Sequence, residues 1–331
     1  MLVASASVLV ACADDGPPVA GPVPSATVSG EPTSDPTVPA PTEPTGPAAT
    51  EPAGSEAPPS DPAATNAPDA PIDTLLPLTN AGGENEAFRG VGQLAGLRSS
   101  CTAFLLDIGP PSGPAYALTT GRCVGLSDRA AVVRDQPVDG VVVRFGPFAD
   151  TSVVAEVGVA SVRYATRRGS DIAVLELAST RSAVIGLAPY SLARPPSPGE
   201  EIRVVGVMAG DDADEEEVLR ADACAAGPST RVAEGEWLSD AAIPSDCAGT
   251  SGSPVFRDNG STRVVGVVST TTFGAAAGAT CDSGLPCELT PTGAVLQPGR
   301  TYAVPVDAWA DCFAPGWEPT AEGCPVESAP P

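Results

Sequence analysis

The chain has 331 residues, with 41 acidic side chains against 17 basic ones, a net charge of −24 and no histidine. Every basic residue is arginine and none of them cluster, which argues against nucleic acid as a partner, because polyanion binding rests on counterions released by grouped Lys and Arg. The length suits one or two folded units plus unstructured chain, and the negative charge favours solubility and repels anionic surfaces.

The first eleven residues, MLVASASVLVA, are almost wholly apolar. They are too short to span a bilayer and lack the basic segment that precedes a signal core. Leu9-Val10-Ala11-Cys12 resembles a bacterial lipobox, so residues 1–12 read as the remnant of a lipoprotein signal, with the true start expected upstream of Met1 and a lipid on Cys12 as the membrane anchor. The expected location is the outer face of a bacterial cell membrane, with secretion as the alternative. Residues 13–78 hold ten acids, no base and no aromatic residue, and sixteen prolines fall between Pro17 and Pro71. Such a segment cannot bury enough apolar surface to offset its ordering entropy. It reads as a disordered, acidic, PPII-biased linker, whose roughly 60 residues at about 3.1 Å each would reach on the order of 180 Å.

From Thr79 onward the composition turns β-rich. Short runs recur at Val141–Phe145, Val153–Val162, Ile172–Leu177, Ile202–Met208 and Val264–Ser269, separated by Gly, Pro, Asp and Ser. That spacing predicts an all-β barrel or sandwich, and some 250 residues suffice for two small barrels. One helix is expected, around Val306 to Phe313. The dense acidic run Asp211–Glu217 lies between two predicted strands. It reads as a solvated surface loop; the sharper alternatives are a preference for basic peptides and a weak calcium site, against which its spacing fits no EF-hand.

Nine cysteines leave eight for the globular part once Cys12 is set aside. An export signal with an even set favours disulfides. The absence of histidine and of any paired CxxC weakens a zinc site, and no cofactor or metal is expected. Eight cysteines allow about 105 pairings. Spacing suggests neighbours in order: Cys101 with Cys123, Cys224 with Cys247, Cys281 with Cys287, and Cys312 with Cys324.

Three segments have to be read together. They are Leu118-Thr119-Thr120-Gly121-Arg122-Cys123, then Ser170-Asp171-Ile172-Ala173-Val174-Leu175, then Asp246-Cys247-Ala248-Gly249-Thr250-Ser251-Gly252-Ser253-Pro254. Their order, with Arg122, Asp171 and Ser251 separated by 49 and 80 residues, resembles the trypsin/chymotrypsin-like serine proteases, particularly bacterial members with a Gly-x-Ser-Gly-Ser-Pro loop. The resemblance covers about Gly90 to Phe313. It implies two six-stranded antiparallel β-barrels with a short C-terminal helix, placed at 79–195 and 196–313, followed by a disulfide-tied tail at 314–331.

The resemblance also assigns roles. Ser251 takes the nucleophile position and Asp171 that of the orienting carboxylate, while the backbone N–H groups of Gly249 and Ser251 form the oxyanion hole. Ser245, with Ser269, Thr270 and Thr271, implies a small, polar, uncharged pocket. Thr250 stands where animal members carry the aspartate of zymogen activation, so no such switch is implied. The base position, directly before Cys123, holds Arg122. A serine hydroxyl attacks a carbonyl only when a neighbour with a near-neutral pKa takes its proton, and a guanidinium stays charged below about pH 12. The chain has neither histidine nor lysine to substitute. Two placements of Arg122 stay open: an ion pair with Asp171, or a side chain directed to solvent.

The expected function is therefore an anchored, catalytically inactive trypsin-like domain that binds or scaffolds a peptide or protein. The alternatives are a serine endopeptidase with residual or unorthodox activity through Ser251, and a structural envelope domain with a vestigial cleft.

Overall fold

The computed structural model describes residues 75–97, 101–126, 132–208, 217–234, 237–260, 262–313, 316–319 and 324–326. The signal remnant with Cys12, the linker up to residue 74, the acidic run at 211–216 and most of the tail lie outside the described residues.

Seven strands form the first sheet: β1 (Val91–Ala95), β2 (Cys101–Leu105), β3 (Pro114–Thr119), β4 (Val132–Pro137), β5 (Val142–Phe145), β6 (Ala155–Thr166) and β7 (Ile172–Thr180). All pairings are antiparallel, and the β6–β7 ladder closes six of them into a barrel, with β4 added along β6. Periodicity explains the closure. Along β7, Ala173, Leu175 and Leu177 point into the barrel, while Ile172 and Val174 face the other way and join the core between the two barrels. In β3, Ala115 and Ala117 point inward while Tyr116 and Leu118 face the partner barrel. A strand buried on both faces reads as a continuous apolar run, which is how these segments look in the sequence.

The second sheet contains β8 (Ser191–Leu192), β9 (Glu201–Met208), β10 (Val218–Ala225), β11 (Thr230–Glu234), β12 (Trp237–Ser245), β13 (Pro254–Arg257), β14 (Arg263–Thr271), β15 (Cys287–Thr290), β16 (Gly293–Val295) and β17 (Thr301–Pro305). Six of them run in the order β10-β9-β13-β14-β17-β12. Ala226, just past β10, bridges to Ser245 at the end of β12 and closes the circuit. Strands β11, β15 and β16 extend this sheet beyond β12. Residues 191–192 already pair, in parallel, with β14, so the second barrel recruits chain ahead of the expected boundary at 195.

The expected pair of barrels is thus present, as are all four expected disulfides. Such a set belongs to an oxidising compartment. The C-terminal helix is 3-10 and spans Asp307–Phe313. It packs Trp309 and Phe313 into the inter-barrel core beside Tyr164 and Tyr116, and Cys312–Cys324 ties the tail to it. Residues 75–78, assigned to the linker from composition, lie on the second barrel, where Leu78 N–H donates to Leu219 O at 2.8 Å. Among the described residues no helix is long and apolar enough to cross a membrane.

Candidate active site

The three motifs converge where the barrels meet. Arg122 sits in a 3-10 helix, Gly121–Val124, that follows β3 and is pinned to β2 by the Cys101–Cys123 disulfide. Asp171 immediately precedes β7 and has no solvent exposure. Ser251 lies in the turn between β12 and β13. That turn is fixed from both barrels: Thr102 N–H donates to Ser251 O at 3.0 Å, and Thr250 Oγ1 donates to Val207 O at 3.1 Å. Gly252 adopts φ +89°, and a Cβ there would come within 1.8 Å of Thr102 O. Only glycine allows both the left-handed backbone and that approach. Gly249 is constrained by packing alone, since a Cβ would meet Val204 Cγ1 at 2.7 Å.

Of the two placements open for Arg122, the structure shows the ion pair. Arg122 Nε donates to Asp171 Oδ2 at 3.0 Å, and its backbone N–H donates to Oδ1 at 3.1 Å. The paired Nη atoms go elsewhere. Both donate to the carboxylate of Glu234 at the end of β11, Nη1 at 3.4 Å and Nη2 closer. The bidentate fork thus meets Glu234, while Asp171 takes Nε and the main-chain N–H. Arg167, just past β6, completes a quartet, with Nη2 at 3.5 Å from Glu234 and Nε at 3.9 Å from Asp171.

Two cations and two anions balance one another, as a site withdrawn from water requires. Burial pulls the Arg122 guanidinium down, but the attraction of Asp171 and Glu234 outweighs it, and its pKa is raised above the ordinary arginine value. Arg122 is therefore further from acting as a base than a free arginine.

Ser269, on β14, links the quartet to the nucleophile position. Its hydroxyl donates to Asp171 Oδ2 at 2.8 Å, and its carbonyl accepts the Ser251 hydroxyl at 2.8 Å. A neutral carbonyl oxygen orients that proton and does not remove it. The remaining pocket residues also have partners. Thr270 Oγ1 donates to Glu234 at 3.3 Å, Thr271 Oγ1 donates to Arg300 O at 3.1 Å, and Ser245 is buried in register with Thr301. Of the polar, uncharged residues expected from sequence, Thr270 thus borders a carboxylate. Glu234 and Arg167 carry no sequence signal: each is a charged residue at a strand end, and only the fold brings them to Arg122. Among the described residues no group of His, Cys, Asp and Glu could hold a metal ion.

The family model described as a trypsin-like peptidase domain matches residues 101–267, which include Arg122, Asp171 and Ser251. No curated protein matches the chain. Among solved structures, mouse neuropsin, a serine protease, is similar at 12% identity and TM-score 0.42, over 71% of this chain and 95% of its own. A thermostable serine protease, AL20, from an extremophilic microorganism is similar at 13% identity and TM-score 0.41, over 66% of this chain and 92% of its own. A mutant of human heparin binding protein is similar at 12% identity and TM-score 0.43, over 72% and 94%.

Proposed function

We propose that this chain, which belongs to the family of trypsin-like peptidase domains, is an exported and membrane-anchored member that holds a peptide or protein without hydrolysing it. The observation that carries the reading is the engagement of Arg122 by both Asp171 and Glu234. It fills the position of the base with a group that cannot accept a proton, and it occupies the carboxylate that would orient one. Loss of a triad member lowers kcat by about 10⁴ to 10⁶, which leaves only binding and the oxyanion donors. The nucleophile turn is meanwhile held from both barrels by Thr102, Thr250 and Val207, which supports a fixed turn that could present a ligand without the chemistry. Cys12, after the apolar run, would carry the lipid, and the linker would hold the domain away from the membrane.

Labelling with a fluorophosphonate probe tests this reading. The unmodified protein is expected to remain unlabelled, as is Ser251→Ala, while Arg122→His gains labelling. Labelling of the unmodified protein that disappears in Ser251→Ala would make the chain a working hydrolase. A failure of Arg122→His to label would favour a structural domain with a vestigial cleft.

A further inference from the structure

The end of the acidic linker, Leu75-Leu76-Pro77-Leu78, differs from the sequence before it in packing three leucines around one proline. Its backbone lies along β10. Pro77 pairs with Arg220 in an antiparallel bridge, Leu78 N–H donates to Leu219 O at 2.8 Å, and the Arg220 guanidinium donates to Leu75 O. Leu76 and Pro77 are exposed, and Leu78 is half-buried. Leu76 is 81% exposed, whereas Leu75 is 8% exposed and packs against Met208 and Ala248, with Phe273 alongside.

The location gives this contact its interest. Ala248 immediately precedes Gly249 and lies three residues before Ser251. Its N–H donates to Asp222 Oδ2 at 2.9 Å, so the strand that receives the linker also holds the nucleophile turn. Backbone pairing at a sheet edge together with one buried side chain is how sheets capture extended peptides in general.

We propose that the edge of β10 and the recess formed by Met208, Ala248 and Phe273 constitute a binding site for an extended peptide with an aliphatic residue two positions before a proline, and that the linker fills this site in cis through Leu75. Removing the linker from the recess would uncover apolar surface beside Ser251. The domain's ligand site would thereby be coupled to the stalk that carries it. This rests on reading the domain as a binder.

Fluorescence polarisation with a labelled peptide of residues 72–80 tests the proposal on the full-length chain. A tethered segment competes at millimolar effective concentration. The full-length Leu75→Asp variant should therefore bind the peptide at least about ten-fold more tightly than the unmodified chain, and a peptide carrying the same Leu75→Asp change should not bind. Equal affinity for both chains, or no binding to either, overturns the proposal. Leu75→Ala provides the same comparison if the aspartate variant does not fold. Failure of the inactive-binder reading would look different: fluorophosphonate labelling of the unmodified chain, whatever the peptide result.

Discussion

The first barrel closes through a ladder between β6 and β7 that runs from Val159–Leu177 to Thr166–Ile172, whereas the second closes at one bridge, Ala226 with Ser245, beside the Cys224–Cys247 disulfide. Each contributes half of the site. The continuous barrel supplies Arg122, Arg167 and Asp171 from short segments next to its strands; the other supplies Glu234, Ser269 and the turn carrying Ser251. The more thoroughly paired barrel holds Arg122 at the position directly before Cys123. Where closure depends on a single bridge, the nucleophile turn keeps its glycines and its hydrogen bonds. The quartet joins the halves by charge: Arg122 and Arg167 belong to one barrel and Glu234 to the other.

The largest expected effect comes from breaking that junction on the first-barrel side. Arg122→Ala would leave Asp171, fully buried, with the backbone N–H of residue 122, Ser269 and the more distant Arg167 as partners. Removing one member of a buried charged pair costs about 3 to 5 kcal/mol, and urea unfolding should show a loss of that order at unchanged m-value. Adding Asp171→Asn to Arg122→Ala should recover part of the loss, because the orphaned charge goes with it. A change below about 1 kcal/mol for Arg122→Ala would show that water reaches Asp171.

A second comparison uses the disulfides. Cys101–Cys123 and Cys224–Cys247 close loops of nearly equal length, with separations of 22 and 23 residues. Their unfolded-state contributions should therefore match, at about 3 kcal/mol each in the chain-entropy model. Their native-state roles differ. Cys224–Cys247 lies beside the closing bridge and the Gly227 N–H to Pro244 O hydrogen bond of 2.7 Å. Replacing both of its cysteines by serine should speed amide exchange at Gly227, while the same change at Cys101 and Cys123 leaves that amide protected. Equal exchange in the two variants would mean that the bridge holds without its disulfide.

Much of this arrangement was legible in the sequence, for identifiable reasons. Short, nearly continuous apolar runs announced β7 and β9 because each strand buries two faces, and the order of the motifs placed Arg122, Asp171 and Ser251 together because the family's turns fix them. The cysteine pairs followed from spacing. Glu234 and Arg167 were not legible, because an ion pair between strand ends far apart in the chain leaves no local period or motif. Leu75 was hidden for a different reason: the Leu-Leu-Pro-Leu run at the end of a Pro-rich stretch is too short to tell which of its leucines is buried, although the burial of Leu75 decides where the linker ends.

The smallest effect is expected at Arg144 and Glu156, and it shows why geometry alone does not rank these pairs. They sit opposite each other on β5 and β6, with Nε–Oε2 at 2.9 Å, slightly shorter than the 3.0 Å from Arg122 to Asp171. Their side chains are 45% and 54% exposed, however, against 23% and 0% for the pair in the site. Water screens the exposed pair and takes over as a partner when either side chain is removed, so a double-mutant cycle with alanine should give a coupling of about 0.2 to 1 kcal/mol. At an ionic strength of about 1 M, where the screening length falls to about 3 Å, the coupling should vanish. The Arg122–Asp171 coupling should persist in the same salt, because the protein shields it from both water and ions. Equal salt sensitivity of the two couplings would mean that the quartet is a surface network, and its balance of charge would then account for little of the fold.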